Sequence, residues 1–135
     1  PVPGYREQIN APVNQFMHRL TTEKSMWRVN WSLNEDPTLF QPGGHGSLEA
    51  TPHLTLENAG AEVFLRLERQ TLRRLPKTSA ILFTIRILQC PLEDLNASEA
   101  HKLAQTLRRW PKDLQTYKSF AAYGSVVLSY LEKRV

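Results

Sequence analysis

The chain has 135 residues, 41% hydrophobic and 22% charged, with 17 Lys+Arg against 13 Asp+Glu for a formal net charge of +4. Those values suit one globular domain and exclude a multidomain machine, a fibrous repeat or a disordered tail. The apolar runs are strand-sized, far short of the ~18 residues that span a bilayer, and the lone Cys90 excludes a disulfide framework or a cysteine-rich metal site.

The opening Pro1-Val2-Pro3-Gly4 is neither a signal nor a transit sequence and has no initiator Met, so a fragment or processed product is expected. The single cysteine favours a reducing compartment, the cytoplasm. Ile9, Val13, Phe16, Met17 and Leu20 recur at spacings of three and four, which predicts a helix over 5–20 that starts or kinks near Pro12. Trp27, Val29, Trp31 and Leu33 alternate with Arg28, Asn30 and Ser32, predicting a half-buried strand over 26–33. Residues 34–61 are rich in Pro, Gly, Asn and His and read as a long functional loop.

Alternation returns over 62–69. A basic turn over 70–79, closed by Pro76, precedes a strand over 80–88 that is apolar on both sides, as a central strand would be. Asn96 with Glu99 three residues on marks a helix start. Ala100, Leu103, Ala104, Leu107 and Trp110 then form one stripe that Pro111 stops. A short helix near 113–118 and a last one over 119–132 follow, the latter with Phe120, Tyr123, Val127 and Leu131 on one side. Helix, three consecutive strands, then helices predict an α+β domain, 1–135, with an antiparallel sheet.

The densest polar cluster is Arg66, Glu68, Arg69, Gln70, Thr71, Arg73, Arg74 and Lys77. Arg66 and Glu68 share a strand face, which Asn30, Ser32, Thr84 and Arg86 could join. Such a face could hold a carboxylate, because guanidinium matches it bidentately; the same pattern also suits a sheet face turned to water. His18, His45, His53 and His101 make no zinc spacing. His45, between glycines, is the most accessible candidate ligand, whereas His18 and His101 read as helix-surface residues. Gly43, Gly44 and Gly46 lack the Lys-Ser/Thr of a phosphate loop. The aromatics alternate into strands instead of interleaving with the basic residues, which argues against nucleic acid.

The blocks Asn30-Trp31-Ser32-Leu33-Asn34-Glu35-Asp36-Pro37-Thr38-Leu39-Phe40 and Leu67-Glu68-Arg69-Gln70-Thr71-Leu72-Arg73-Arg74-Leu75-Pro76-Lys77-Thr78 resemble the alpha subunit of haem-dependent oxidative N-demethylase and its relatives. So do Pro1-Val2-Pro3-Gly4-Tyr5 and Ala80-Ile81-Leu82-Phe83-Thr84-Ile85-Arg86. The resemblance implies a PAS-like domain holding haem b, whose last three strands would be those at 26–33, 62–69 and 80–88. Relatives about twice as long imply that this is the C-terminal half. An iron-ligating histidine would then lie just ahead of Pro1, and the N-terminal half would complete the sheet.

The implied reaction oxidises a small secondary amine, dimethylamine, with dioxygen and NADPH-derived electrons. A reductase partner subunit would carry FMN and an iron–sulfur cluster of the 2Fe–2S type. Glu68 and Arg69 are expected near the reacting centre; Arg66, Arg86, Trp31 and His45 are expected at the haem. A non-catalytic haem or small-ligand sensor and a purely structural interaction domain are the alternatives. Neither a nucleic-acid nor a membrane partner is expected.

Overall fold

A computed structural model describes residues 4–40 and 53–134. Helix α1 (Asn10–Arg19) is entered through a wide π turn, Tyr5–Ile9, in which the Asn10 N–H donates to the Tyr5 carbonyl. Pro12 is the third residue of α1, within the first turn, where a helix tolerates proline. Strand β1 (Ser25–Asn34) follows, then the short α2 (Ala59–Glu62), β2 (Phe64–Arg74) and β3 (Ile81–Pro91). Helices α3 (Ala97–Arg108), α4 (Lys112–Tyr117) and α5 (Gly124–Glu132) close the chain. The strands form an open antiparallel sheet in the order β1-β2-β3, an α+β fold.

Three expectations change. The basic residues 70–74 lie inside β2, and the turn begins only after Leu75, whose N–H donates to the Ala80 carbonyl at 2.8 Å. The apolar β3 is an edge strand of this sheet, with β2 at the centre. An edge position leaves its large side chains without neighbours on one side, and Leu82, Phe83, Ile85 and Leu88 are all exposed. The expected last helix is two pieces. Ser119, at φ 57, is in the left-handed region that cannot continue a helix, so a 3-10 turn (Phe120–Ala122) precedes α5.

The chain divides into two compact units, Pro1–Trp31 with Leu67–Leu88 and Ser32–Arg66 with Gln89–Val135. The second holds most of the core. The α3 stripe buries Ala100, Ala104 and Leu107, and α5 buries Val127 and Leu131 against it. Asn96 and Glu99 form the expected capping box: the Asn96 side chain accepts from the Glu99 N–H, and the Glu99 carboxylate accepts from the Asn96 N–H, each at 3.0 Å. Gly60 on α2 is required by close approach, since a Cβ there would stand 2.2 Å from the Tyr130 hydroxyl and 2.5 Å from its ring. Buried Tyr123 donates to the Leu33 carbonyl at 2.7 Å. In the first unit, by contrast, Leu20 is the one buried apolar residue among those described.

Candidate functional site

The first unit is built around a cleft. Alternation along β1 and β2 sends Met26, Arg28, Gln70 and Leu72 to one sheet face, and hairpin pairing adds Ile81 and Phe83. Val13, Phe16 and Met17 of α1 face them, and together with Trp27 they line a cavity of about 650 Å³. That volume falls inside the range of about 300–1,000 Å³ common for small-molecule sites. The helix is tied down by Arg74, whose guanidinium donates to the carbonyls of Met17 (2.6 Å) and Leu20 (2.7 Å) at the end of α1 and of Ser79 (2.6 Å) in the turn. Those carbonyls are at the end of α1, where the Met17 carbonyl accepts only a long bond from the Leu20 N–H at 3.4 Å and a cation is favoured.

A polar chain runs along the same sheet face. Arg28 Nε donates to Gln70 Oε1 at 2.8 Å, Gln70 Nε2 donates to Glu68 Oε2 at 3.0 Å, and Asn30 Nδ2 donates to the same oxygen at 3.4 Å. The Gln70 amide has one possible orientation, since its oxygen must accept from a cation and its nitrogen must donate to an anion. Gln70 is buried, whereas Arg28 is exposed at the cavity rim. Arg28 Nη1 and Nη2 have no hydrogen-bond partner among the described residues. An apolar cavity with a guanidinium at its edge suits a largely apolar ligand bearing a carboxylate.

The sequence-expected site residues are divided by this geometry. Glu68 joins the polar chain. Arg66 is buried in the second unit, its Nη1 and Nη2 donating to the Thr38 and Leu39 carbonyls at 3.2 and 2.9 Å. Strand alternation places Trp31, Arg69 and Arg86 on the reverse face, where Arg69 stacks 5.2 Å from the centre of the Trp27 ring. Arg86 and Thr84 therefore do not share a face with Glu68: Ile81 and Phe83 are on the cavity side, so the even-numbered residues of β3 are on the other. His45 lies outside the described residues.

Arg28 and the α1 side chains were the functional candidates that sequence reasoning missed, and Arg74, legible as one member of the basic cluster, gave no sign of its tie to α1. The α1 stripe was legible as apolar, but nothing in its spacing says whether it closes a core or walls a cavity.

Titratable groups outside the cleft cluster in the second unit. Glu35 lies 3.5 Å from His53, which is 4.0 Å from Glu62. Burial pushes the Glu35 carboxyl above its ordinary value, against the pull of His53 and with a smaller push from Glu62. Burial, with Glu35 nearby, also holds the Tyr123 phenol well above its usual range, so it remains a donor to Leu33. No group of three or more His, Cys, Asp or Glu among the described residues forms a metal site. No helix among them is long and apolar enough to cross a membrane.

An antiparallel sheet with a helix laid over one face, enclosing an apolar cavity with a cation at its rim, defines an α+β unit with a candidate ligand site. The family model described as "Haem-dependent oxidative N-demethylase, alpha subunit-like" matches residues 1–128. The chain belongs to that family, whose description makes its function haem-dependent and N-demethylase-like and, as an alpha subunit, part of a multi-subunit enzyme.

Proposed function

We propose that this chain forms part of a PAS-like, cytoplasmic haem protein that oxidatively demethylates a small secondary amine such as dimethylamine. In this reading dioxygen is the oxidant, and NADPH-derived electrons arrive through a reductase subunit carrying FMN and a 2Fe–2S cluster. The family match over residues 1–128 is the observation that carries it. The N-terminal half of the same protein would add strands at an open sheet edge. Exposed Leu82 and Ile85 on the edge strand β3 support that reading, because an unpaired apolar edge is avoided in finished folds.

The size and apolar lining of the cavity support a site for the body of haem b. Its walls from Val13, Phe16, Leu72 and Phe83 are apolar, and exposed Arg28 would hold a propionate. Among the described residues no imidazole lines it, and its possible soft donors are the thioethers of Met17 and Met26; a histidine ligand to the iron would come from elsewhere. Bound haem would supply the iron at which dioxygen is activated. The chain's own residues would do the rest. Phe16, Leu72 and Phe83 would exclude water, Arg28 would fix one carboxylate, and Glu68 would attract the ammonium form of the amine, its carboxylate held by Gln70 and Asn30.

The test is the visible spectrum of the full-length protein as purified, with dimethylamine added stepwise and oxygen uptake followed. A Soret band that shifts with dimethylamine, with amine-dependent oxygen consumption, is the expected result. A protein with no Soret band even after incubation with haemin would overturn the proposal.

A further inference from the structure

The reverse face of the sheet in the first unit lies outside the cleft except at Trp27, which also lines the cleft's edge. It carries Trp27 (62% exposed), Val29 (50%) and Leu82 (47%) beside exposed Arg69, Arg73 and Arg86. Strand alternation places no Asp, Glu or Lys on it, although the whole chain has 13 acidic residues. Exposed Trp and Arg without Lys or carboxylates is the composition of protein–protein hot spots, where Trp and Arg are enriched and Lys, Asp and Glu are depleted. Large apolar side chains exposed among arginines are the composition of an interaction surface in natural proteins. The Arg69–Trp27 stack also holds both large side chains ready, which lowers the entropy lost on docking.

We infer that this face docks a partner subunit of the enzyme whose contacting surface is acidic and carries apolar side chains. Charge selects that occupant. A second copy would set three guanidinium groups against three others, a like-charge juxtaposition that opposes association. An acidic surface neutralises Arg69, Arg73 and Arg86, while its apolar side chains cover Trp27, Val29 and Leu82. The inference rests on the multi-subunit character of the family and not on the chemistry at the haem, so either can fail alone.

Hydroxyl-radical footprinting tests it, comparing the assembled enzyme purified with its subunits against the isolated full-length alpha chain. Trp27 should oxidise severalfold more slowly in the assembly, with Trp110 unchanged. Arg73→Glu should release the partner at moderate salt while the far-ultraviolet circular dichroism of the chain is retained. Equal Trp27 oxidation in both samples overturns the inference. So does protection already present in the dilute isolated chain, which would mean that its own polypeptide covers the face. Protection that appears on concentrating the isolated chain assigns the face to a second copy, and an enzyme that purifies with one kind of chain leaves no partner to dock; either result overturns it too.

Discussion

Arg74→Gln tests how the cleft is held together. Helix α1 buries none of its residues, so its apolar side chains only roof the cavity and contribute little packing of their own. Its tie to the sheet is the Arg74 guanidinium, which bonds the Met17 and Leu20 carbonyls in part-buried positions and the Ser79 carbonyl in an exposed one. A hydrogen bond to a charged group contributes about 1.5–3 kcal/mol when desolvated and less near water. Taking the two α1 bonds at the low end and the exposed one as negligible gives about 2–3 kcal/mol. At about 1.4 kcal/mol per tenfold, the equilibrium for lifting α1 off the sheet should rise roughly 30- to 150-fold. Amide hydrogen exchange reads this directly. Amides in the last turn of α1 should exchange faster by that factor, while the β1–β2 ladder changes little. Unchanged exchange in α1 would show that helix packing, not Arg74, holds the roof. Equal acceleration throughout the sheet would show that Arg74 supports the whole unit.

Other perturbations address the rest of the molecule. Arg28→Gln should weaken haemin binding about tenfold, the value of one charge-assisted bond, yet leave the haemin dimethyl ester unaffected in a spectrophotometric titration; equal loss for both ligands would remove Arg28 from carboxylate binding. Tyr123→Phe deletes the donor to a buried carbonyl, and urea unfolding should show a loss of about 1–3 kcal/mol. Gly60→Ala forces a methyl into the Tyr130 ring and should cost about 1–3 kcal/mol in the same assay; a neutral result would mean that α2 can shift freely. For Glu35 the folded-state pKa is raised above 4.5, so its favourable contribution is complete below that value and is lost as pH rises through the folded value. Glu35→Gln should therefore gain Tm relative to the parent as pH rises above 4.5, and a flat or falling difference would refute the burial argument.

What the sequence determined by itself was local. The capping box at Asn96 and Glu99, the α3 stripe and the alternation of β1 are written in spacings of three, four and two, because backbone geometry alone converts those periods into faces. The order of elements also sufficed for the α+β class, and two sequence blocks sufficed for the family. The cleft was decided only by tertiary structure. Periodicity says which residues share a face but not what covers it. Trp27 and Val29 read as the buried side of β1, yet they are exposed, while Ser32 and Asn34 on the other side are buried. Likewise β3 is apolar on both sides but lies at an edge, because strand order depends on pairing between distant segments. Arg66, Glu68 and Arg69 are near neighbours in one strand, and the fold sends them to three different tasks: Arg66 to backbone carbonyls, Glu68 to Gln70 and Asn30, and Arg69 to the Trp27 ring. A side chain's partner comes from another part of the chain, and no single-strand pattern contains that information.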